Sequence, residues 1–269
     1  MLRRAVAPLV SRVATDRRLA PLTVQAPREM INQPQCFRSH LYNVIELRLL
    51  LNSHRSRLTN QVKGITNSKE NVEALKLYKQ LYAFCPPDWS KTFFLEANQA
   101  FTNGQAAMSM NFFAFFPALA NEATNKYAKV TGYFSMPAGP TGARFAALGG
   151  QGLSIVSYSK KRDQCFKFCE WFIRNDVQKK WGELGGYTCD AKILASDEFR
   201  KTTPYNEAFY ESMQMAKDFW AVPEYAQLLT AANKRWHPFI VANKGTAEDA
   251  LNGLTQDWDG ILKQAGLQK

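Results

Sequence analysis

Segments with helical spacing of apolar residues alternate with short apolar runs from residue 64 onward. The helical spacing predicts helices at about 68–82, 91–101, 112–120, 160–173, 177–184, 204–218, 223–243 and 246–264. The short runs predict buried strands at 106–110, 129–134, 145–148 and 153–157. Helices that alternate with strands and then give way to a helical stretch are typical of an α/β fold.

Boundary residues support several of these helices. Ser68 is well placed to cap the first one, Glu70 lies in its first turn, and Pro86 stops it. Asp197 and Glu198 open another helical stretch and are explained there as favourable N-terminal charges.

The positive charge is concentrated at the start of the chain. The formal net charge is +11, with 34 basic and 23 acidic residues. Residues 1–60 contain ten Arg, no Lys and three acids, whereas Lys dominates afterwards. The folded part is therefore only mildly basic, which argues against nucleic acid as a partner.

Residues 1–63 form an atypical Arg-rich leader, and we expect them not to belong to the fold. The longest apolar stretch, at residues 5–10, contains Pro8 and is too short for a secretion signal. A mitochondrial-type leader fits the composition better. A non-native leader, from a misplaced start or a gene fragment, is the interpretation we favour.

Cysteine spacing and hydropathy argue against a disulfide-rich scaffold and against a membrane-spanning protein. The five cysteines are irregularly spaced and odd in number, so they do not form a disulfide framework. Free thiols are expected, with Cys85–Cys189 as the one pairing to test. Because no run of about 18 apolar residues occurs, no membrane span is predicted.

Catalytic and cofactor motifs are lacking in the sequence. His40 and His54 lie in the leader, and His237 lies alone in a predicted helix. Asp257 and Asp259, near the C-terminus, are expected on a solvated helix face. No phosphate loop, dinucleotide fingerprint, nucleophile elbow or metal-binding pair of histidines is present. We therefore expect no catalytic residue, no metal and no cofactor.

Four segments, in the same order, resemble extracellular solute-binding proteins of the sugar-binding type (family 1), the ligand-capturing components of ABC importers. Residues 100–108 (AFTNGQAAM) resemble the family stretch F-x-x-G-x-A-A-M. Residues 137–140 (PAGP) with 149–152 (GGQG) are similar to its P-x-G-P and G-G-x-G pair. Residues 159–181, which include Gln178 and Trp181, and residues 185–199 (GGYT to SDEF) resemble two further family segments. Thr188-Cys189 departs from the family where many members have Pro, and Gln151 departs where an aromatic residue is common.

The resemblance implies an α/β fold of the periplasmic binding protein-like II type. That fold has two lobes, and this chain resembles only the C-terminal portion, with the first lobe largely missing. Residues 64–128 and 187–269 would form mainly one lobe, and 129–186 the return segment of the other. A return segment without its sheet exposes apolar edges, so we expect poor stability of the chain alone.

The resemblance also implies a ligand site. Sugars need aromatic rings for their apolar faces and amides or backbone groups for their hydroxyls. The candidate ligand-binding residues are Asn111, Phe112, Phe113, Gly149, Gly150, Gln151, Tyr187 and, with less support, Trp89. A core role for the Phe rings, a tight turn at the glycines and a surface-loop role for Tyr187 are the competing interpretations.

The implied function is non-catalytic binding of a carbohydrate or polyol for delivery to an ABC importer, whose membrane subunits would be the protein partners. The implied location is periplasmic or extracytoplasmic. Two alternatives stay open: a truncated remnant without binding activity, and a hydrolase or transferase on a similar two-lobed fold.

Overall fold

The computed structural model describes residues 66–86, 89–92, 94–138, 144–148, 152–217 and 222–267. The described residues fall into two compact units. Unit 1 comprises residues 116–135 and 153–211, and unit 2 comprises the remaining described residues. The leader, Gly149, Gly150 and Gln151 lie outside the described residues.

Most of the described chain is helical. The helices are α1 Lys69–Tyr82, α2 Phe94–Thr102, α3 Phe116–Ala120, α4 Arg162–Phe172, α5 Asn175–Glu183, α6 Ala191–Leu194, α7 Asp197–Thr202, α8 Asn206–Met215, α9 Tyr225–Ile240 and α10 Ala247–Gln264. Short 3₁₀ turns occur at Trp89–Lys91, Phe113–Phe115 and Ala128–Val130. Strands β1 Ala146–Ala147 and β2 Ala216–Lys217 form a parallel pair in which Ala146 is opposite Ala216.

Helix ends follow the capping chemistry expected from the sequence. The Ser68 hydroxyl accepts a hydrogen bond from the Asn71 backbone N–H at 3.4 Å and begins α1. The Thr246 hydroxyl accepts from the Asp249 N–H at 3.0 Å and begins α10. Each such cap satisfies an N–H that the helix itself cannot.

Unit 2 is built around three helices. Helices α1, α9 and α10 pack against one another. The Trp258 indole N–H donates to the Leu228 carbonyl at 2.8 Å, which ties α10 to α9. The buried apolar side chains of this core include Leu75, Tyr78, Leu228, Trp236, Ile240, Leu251, Leu254, Trp258 and Leu262. At about 1.5–3 kcal/mol for each large buried side chain, this core dominates the stability of unit 2.

Unit 1 contains α3 to α7 and the first part of α8. Its buried apolar side chains are fewer: Phe116, Leu119, Phe199, Tyr205 and Ala208. Gly182 of α5 lies against the Phe199 ring, where an added Cβ would meet that ring at 3.1 Å. A side chain at this position would therefore require the Phe199 ring to move by a few tenths of an ångström.

Three strand predictions are wrong. Residues 106–110 and 153–157 are irregular, and 129–134 begins with a 3₁₀ turn and continues without a ladder. Only the prediction at 145–148 coincides with a strand. A short apolar run has the same periodicity in a buried strand and in an irregular segment packed on a helix, so the pattern did not separate them.

The unit boundaries differ from those predicted for the lobes. Along the chain, the boundaries between the units fall at 115/116, 135/136, 152/153 and 211/212. The predicted lobe boundaries fall at 128/129 and 186/187. The assignment of these segments to lobes stays a prediction. All four described cysteines are free thiols, Cys85 and Cys189 among them.

Candidate ligand-binding site

An amide pair in unit 2 fixes the loop that follows α2. Asn98 is buried on α2, and its amide donates to the Phe115 carbonyl at 2.9 Å. The Asn111 amide donates to the Asn98 side-chain oxygen at 2.9 Å. The Asn111 oxygen in turn accepts from the Phe112 backbone N–H at 2.8 Å. Because Asn98 binds both Asn111 and Phe115, the orientation of Asn111 is set before any ligand arrives.

The candidate residues Trp89, Phe112 and Phe113 lie in unit 2. Phe112 and Phe113 are half-buried and follow Asn111 directly, and Phe113 begins a 3₁₀ turn. Trp89 is half-buried and packs against the small cluster formed by Ala100 and Ala106. Trp89 and Asn111 therefore each contact α2 or the loop that follows it.

The stretch of unit 2 that carries Asn111, Phe112 and Phe113 is uncharged. Residues 97–115, which we call the platform of unit 2, contain no charged side chain and no histidine. Amide groups and rings are the polar and apolar groups that this stretch offers. Such a surface can accept and donate hydrogen bonds and stack on a flat apolar face, but it offers no side-chain charge to an ionised group.

Tyr187 lies in unit 1, within an aromatic cluster. Its ring centroid is 4.5 Å from that of Phe209 and 6.0 Å from that of Tyr205. Tyr205 also contacts Tyr133 at 5.7 Å and Phe116 at 6.2 Å. Burial, with the neighbouring Tyr205 and Tyr133 hydroxyls, raises the pKa of Tyr187 well above its usual range. Its ring is engaged in internal packing, which the surface-loop interpretation did not anticipate.

The segment that carries Tyr187 is held by the end of α5. Gly185 has φ +88°, a left-handed conformation that ends the helix and that a side chain would strain. The Trp181 ring lies where a Cβ on Gly186 would be, so that position also requires glycine. The Trp181 indole N–H donates to the Tyr187 carbonyl at 3.3 Å. The family-like glycine pair therefore has a structural reason in this chain.

Gln178 is the polar centre of unit 1. Its buried amide donates to the Phe172 carbonyl at 2.8 Å. Its oxygen accepts from the Thr188 hydroxyl at 3.0 Å and from the Cys189 N–H at 3.2 Å. Gln178 thus fixes the two residues that follow Tyr187, including the Thr188-Cys189 pair where many family members have Pro.

Two of the positioning residues were not identified as such from the sequence. Asn98 is an ordinary-looking amide in a helix, and its partners are thirteen and seventeen residues away. Gln178 was noted as part of the resemblance, but its hydrogen bonds with residues 188 and 189 were not predicted. Within the described residues, no group of three or more His, Cys, Asp or Glu could hold a metal ion.

The comparisons identify the family. The family model for the bacterial extracellular solute-binding protein matches residues 44–179. This range begins twenty residues ahead of Gly64, where the predicted solute-binding region starts. The chain is 24% identical over 210 residues to the probable amino-acid ABC transporter periplasmic-binding protein y4oP of Sinorhizobium fredii, covering 75% of this chain and 46% of that protein.

Solved structures agree on the fold. Maltose-bound MalE3 of T. maritima matches with a TM-score of 0.67 and 21% identity over 81% of this chain and 57% of its own. An ABC transporter solute-binding protein of Agrobacterium vitis with bound D-mannitol matches with a TM-score of 0.61 and 21% identity over 83% and 58%. The predicted fold class, that of two-lobed periplasmic binding proteins, is confirmed.

The chain spans about half the length of these relatives. Among the described residues, no helix combines the length and apolar character needed to cross a lipid bilayer. The family model covers half of the chain and includes the first two of the four sequence segments, residues 100–108 and 137–152. The chain belongs to the bacterial extracellular solute-binding protein family.

Proposed function

We propose that this chain takes part in the non-catalytic binding of a carbohydrate or polyol for delivery to an ABC importer. The observation that supports the proposal is the uncharged platform of unit 2. Residues 97–115 provide amides and aromatic rings without a charged side chain. A neutral polyhydroxyl ligand needs those groups and needs no counter-ion.

The geometry of Asn111 supports this chemistry. Its amide is oriented by Asn98 and by the Phe112 N–H. An amide held in one orientation loses less side-chain entropy when a hydroxyl binds to it. Phe112 and Phe113 follow directly and would supply the apolar faces for a sugar ring. Gly149, Gly150, Gln151, Tyr187 and Trp89 stay proposed members of the site.

An amino acid is the second candidate ligand class, because the relative y4oP is described as an amino-acid binding protein. The titles of the two solved structures instead mention maltose and D-mannitol. A free amino acid carries an ammonium and a carboxylate, and both need charged or strongly polar partners when they are desolvated. The uncharged platform favours the neutral ligand class.

Titration calorimetry of the 269-residue chain with maltose, D-mannitol, leucine and glutamate tests the proposal. Binding of maltose or mannitol should be weakened at least about tenfold by Asn111→Ala, which corresponds to about 1.4 kcal/mol. Gln99→Ala, which removes an exposed amide from α2, the helix that carries Asn98, should leave the affinity unchanged.

Each result of this titration decides between the interpretations. Heat from an amino acid alone would replace the sugar proposal with the amino-acid one. If none of the four ligands gives a binding heat, the interpretation as a truncated remnant without binding activity is favoured. Equal affinities for the Asn111→Ala and Gln99→Ala variants would remove Asn111 from the site.

A further inference from the structure

Residues 153–156 (LSIV) of unit 1 have a strand-like sequence, and within the described chain they pair with no strand. Ile155 and Val156 are β-branched, and the four residues include no charge and no proline. A turn follows them, closed by the Ser159 N–H, which donates to the Val156 carbonyl at 3.0 Å. We call residues 153–156 the unpaired segment.

The backbone of the unpaired segment is available for pairing. Leu153, Ser154 and Ile155 make no backbone hydrogen bond with any residue that the structure describes. The segment is also accessible, since Leu153 is 61% exposed and Val156 48%. Free N–H and C=O groups beside exposed apolar side chains form a template on which another strand can pair.

The side chains of the unpaired segment define the strand that suits it. Exchanging backbone hydrogen bonds with water for bonds with another strand brings only a modest net gain. Burial of Leu153, Ile155 and Val156 has to supply the rest of the association free energy. The partner strand must therefore be apolar, β-prone and uncharged. The same segment of a second copy of this chain meets all three conditions.

The charges that flank the unpaired segment set the direction of pairing. Lys160 and Lys161 follow it and form no ion pair with a described residue, whereas residues 145–152 ahead of it are uncharged. Parallel pairing of two copies would place their lysines side by side, which is unfavourable. Antiparallel pairing places them at opposite ends. Three basic residues farther along unit 1 already have partners, in the pairs Arg174–Asp176, Lys179–Glu198 and Lys180–Glu183.

We propose that the unpaired segment is a self-association site, at which a second copy of this chain pairs antiparallel with the first. The register places Ser154 opposite the partner's Ser154 and Leu153 opposite the partner's Ile155. It gathers the Leu153 and Ile155 side chains of both copies on one face and keeps Ser157, a turn residue, outside the pair. The proposal holds whichever ligand the chain binds, because residues 153–156 include none of the proposed ligand-binding residues.

Sedimentation equilibrium of the full chain, from about 1 µM to about 1 mM, measures the association. The weight-average mass of the wild type should rise with concentration from the 30.5 kDa of one chain toward twice that value. Ser154→Lys places two ammonium groups directly opposite each other and should raise the dissociation constant at least about fivefold. Ser157→Lys adds the same charge at another exposed serine, outside the pair, and should change the constant by less than about twofold.

Disulfide cross-linking tests the register without adding charge. In the proposed pair the two Cα atoms at position 154 are about 4.5–5.5 Å apart, within the reach of a disulfide. The two at position 157 are about 20 Å apart along the strands. After mild oxidation, Ser154→Cys should give a disulfide-linked dimer of the tryptic peptide 145–160, and Ser157→Cys should not. This peptide contains no native cysteine, so mass spectrometry identifies the bond unambiguously.

Three outcomes would overturn the proposal. One is a wild-type mass that stays at 30.5 kDa over the whole concentration range. Another is equal dissociation constants for the two lysine variants, or equal cross-linking of the two cysteine variants. The third is an association that Phe168→Ser/Trp171→Ser abolishes and Ser154→Lys does not, since this would move the contact to the half-exposed rings of α4. Circular dichroism checks that every variant keeps the helical content of the wild type.

Discussion

Replacing Gln178 with leucine removes the polar centre of unit 1 while keeping the size of the side chain. Three strong hydrogen bonds are lost: one from the amide to the Phe172 carbonyl and two to the oxygen from the Thr188 hydroxyl and the Cys189 N–H. A weak fourth one, from the Cys189 thiol to the same oxygen, is lost as well. The Gln178 side chain is buried, so water cannot readily replace it. Two backbone groups and a hydroxyl are then left without their partner.

The magnitude follows from these three bonds. Each contributes about 1 kcal/mol net, and a buried group left unpaired costs at least as much. The Gln178→Leu variant should therefore lose about 3 kcal/mol of unfolding free energy. At about 2–4 °C for each kcal/mol in a chain of this size class, the thermal midpoint should fall by about 6–12 °C.

Urea unfolding followed by circular dichroism measures this loss, with Gln164→Leu as the matched control. Gln164 is exposed on α4, so the same exchange there should change the unfolding free energy by less than about 0.5 kcal/mol. A Gln178→Leu variant within about 1 kcal/mol of this control would refute the view that Gln178 holds the segment after α5.

Two further predictions concern pH. Arg235 donates to the Asp257 carboxylate from Nε at 2.6 Å and from Nη2 at 2.7 Å, and these bonds hold the pKa of Asp257 below its ordinary value of 3.8. The stability from this pair is present above pH 3.8 and lost as the pH falls through the lowered pKa. Because both groups are partly exposed, Asp257→Asn should lower the unfolding free energy by only about 1 kcal/mol near pH 7 and by less at pH 3. Urea unfolding midpoints measure this difference. An equal loss at both pH values would contradict the ion pair. Burial raises the pKa of Tyr133 from 10.0 to about 12, so its neutral form stabilises unit 1 fully below pH 10, and that contribution is lost as the pH rises toward 12. Tyr133→Phe should remove one late-ionising tyrosine from the absorbance titration at alkaline pH, and loss of an early-ionising one would contradict its burial.

The sequence predicted the helices well, because their signals are local. Ser68 caps α1 as expected, and Thr246, the first residue of the last predicted helix, caps α10. Asp197 and Glu198 lie in the first turn of α7, directly after the Ser196 cap. An N-cap needs only a side-chain oxygen and the N–H two or three residues later. Such pairs can be recognised without knowing the rest of the fold.

The strands failed for the opposite reason. A strand exists only where another strand pairs with it, and that pairing is long-range. Ala146 pairs with Ala216, seventy residues later, and nothing in residues 204–218 distinguished β2 from the end of a helix. Residues 106–110 lead instead into a loop in which Asn98 binds the Asn111 side chain and the Phe115 carbonyl.

The candidate site was predicted in kind rather than in detail. Asn111, Phe112 and Phe113 were recognised as an amide beside rings, and the structure ties Asn111 to Asn98 on α2. The support from Asn98 could not be predicted, since a buried asparagine in a helix has the same sequence signature as an exposed one. Tyr187 was chosen for its position after a glycine pair, and its packing against Phe209 depends on the tertiary structure.

The two units differ in how completely their apolar residues are buried, and this difference bears on function. Unit 2 closes a core around Trp236 and Trp258, both nearly inaccessible to solvent, and Met110, next to Asn111, packs against that core. Unit 1 keeps its internal order through Gln178 and the aromatic cluster around Tyr205, while Phe166, Phe168 and Trp171 of α4 are about half exposed. Ligand contacts made by unit 2 alone should therefore survive in this chain. Contacts that require Tyr187 depend on unit 1, whose apolar residues are less completely buried. A sugar affinity that depends more strongly on Asn111 than on Tyr187 is the behaviour that this asymmetry implies.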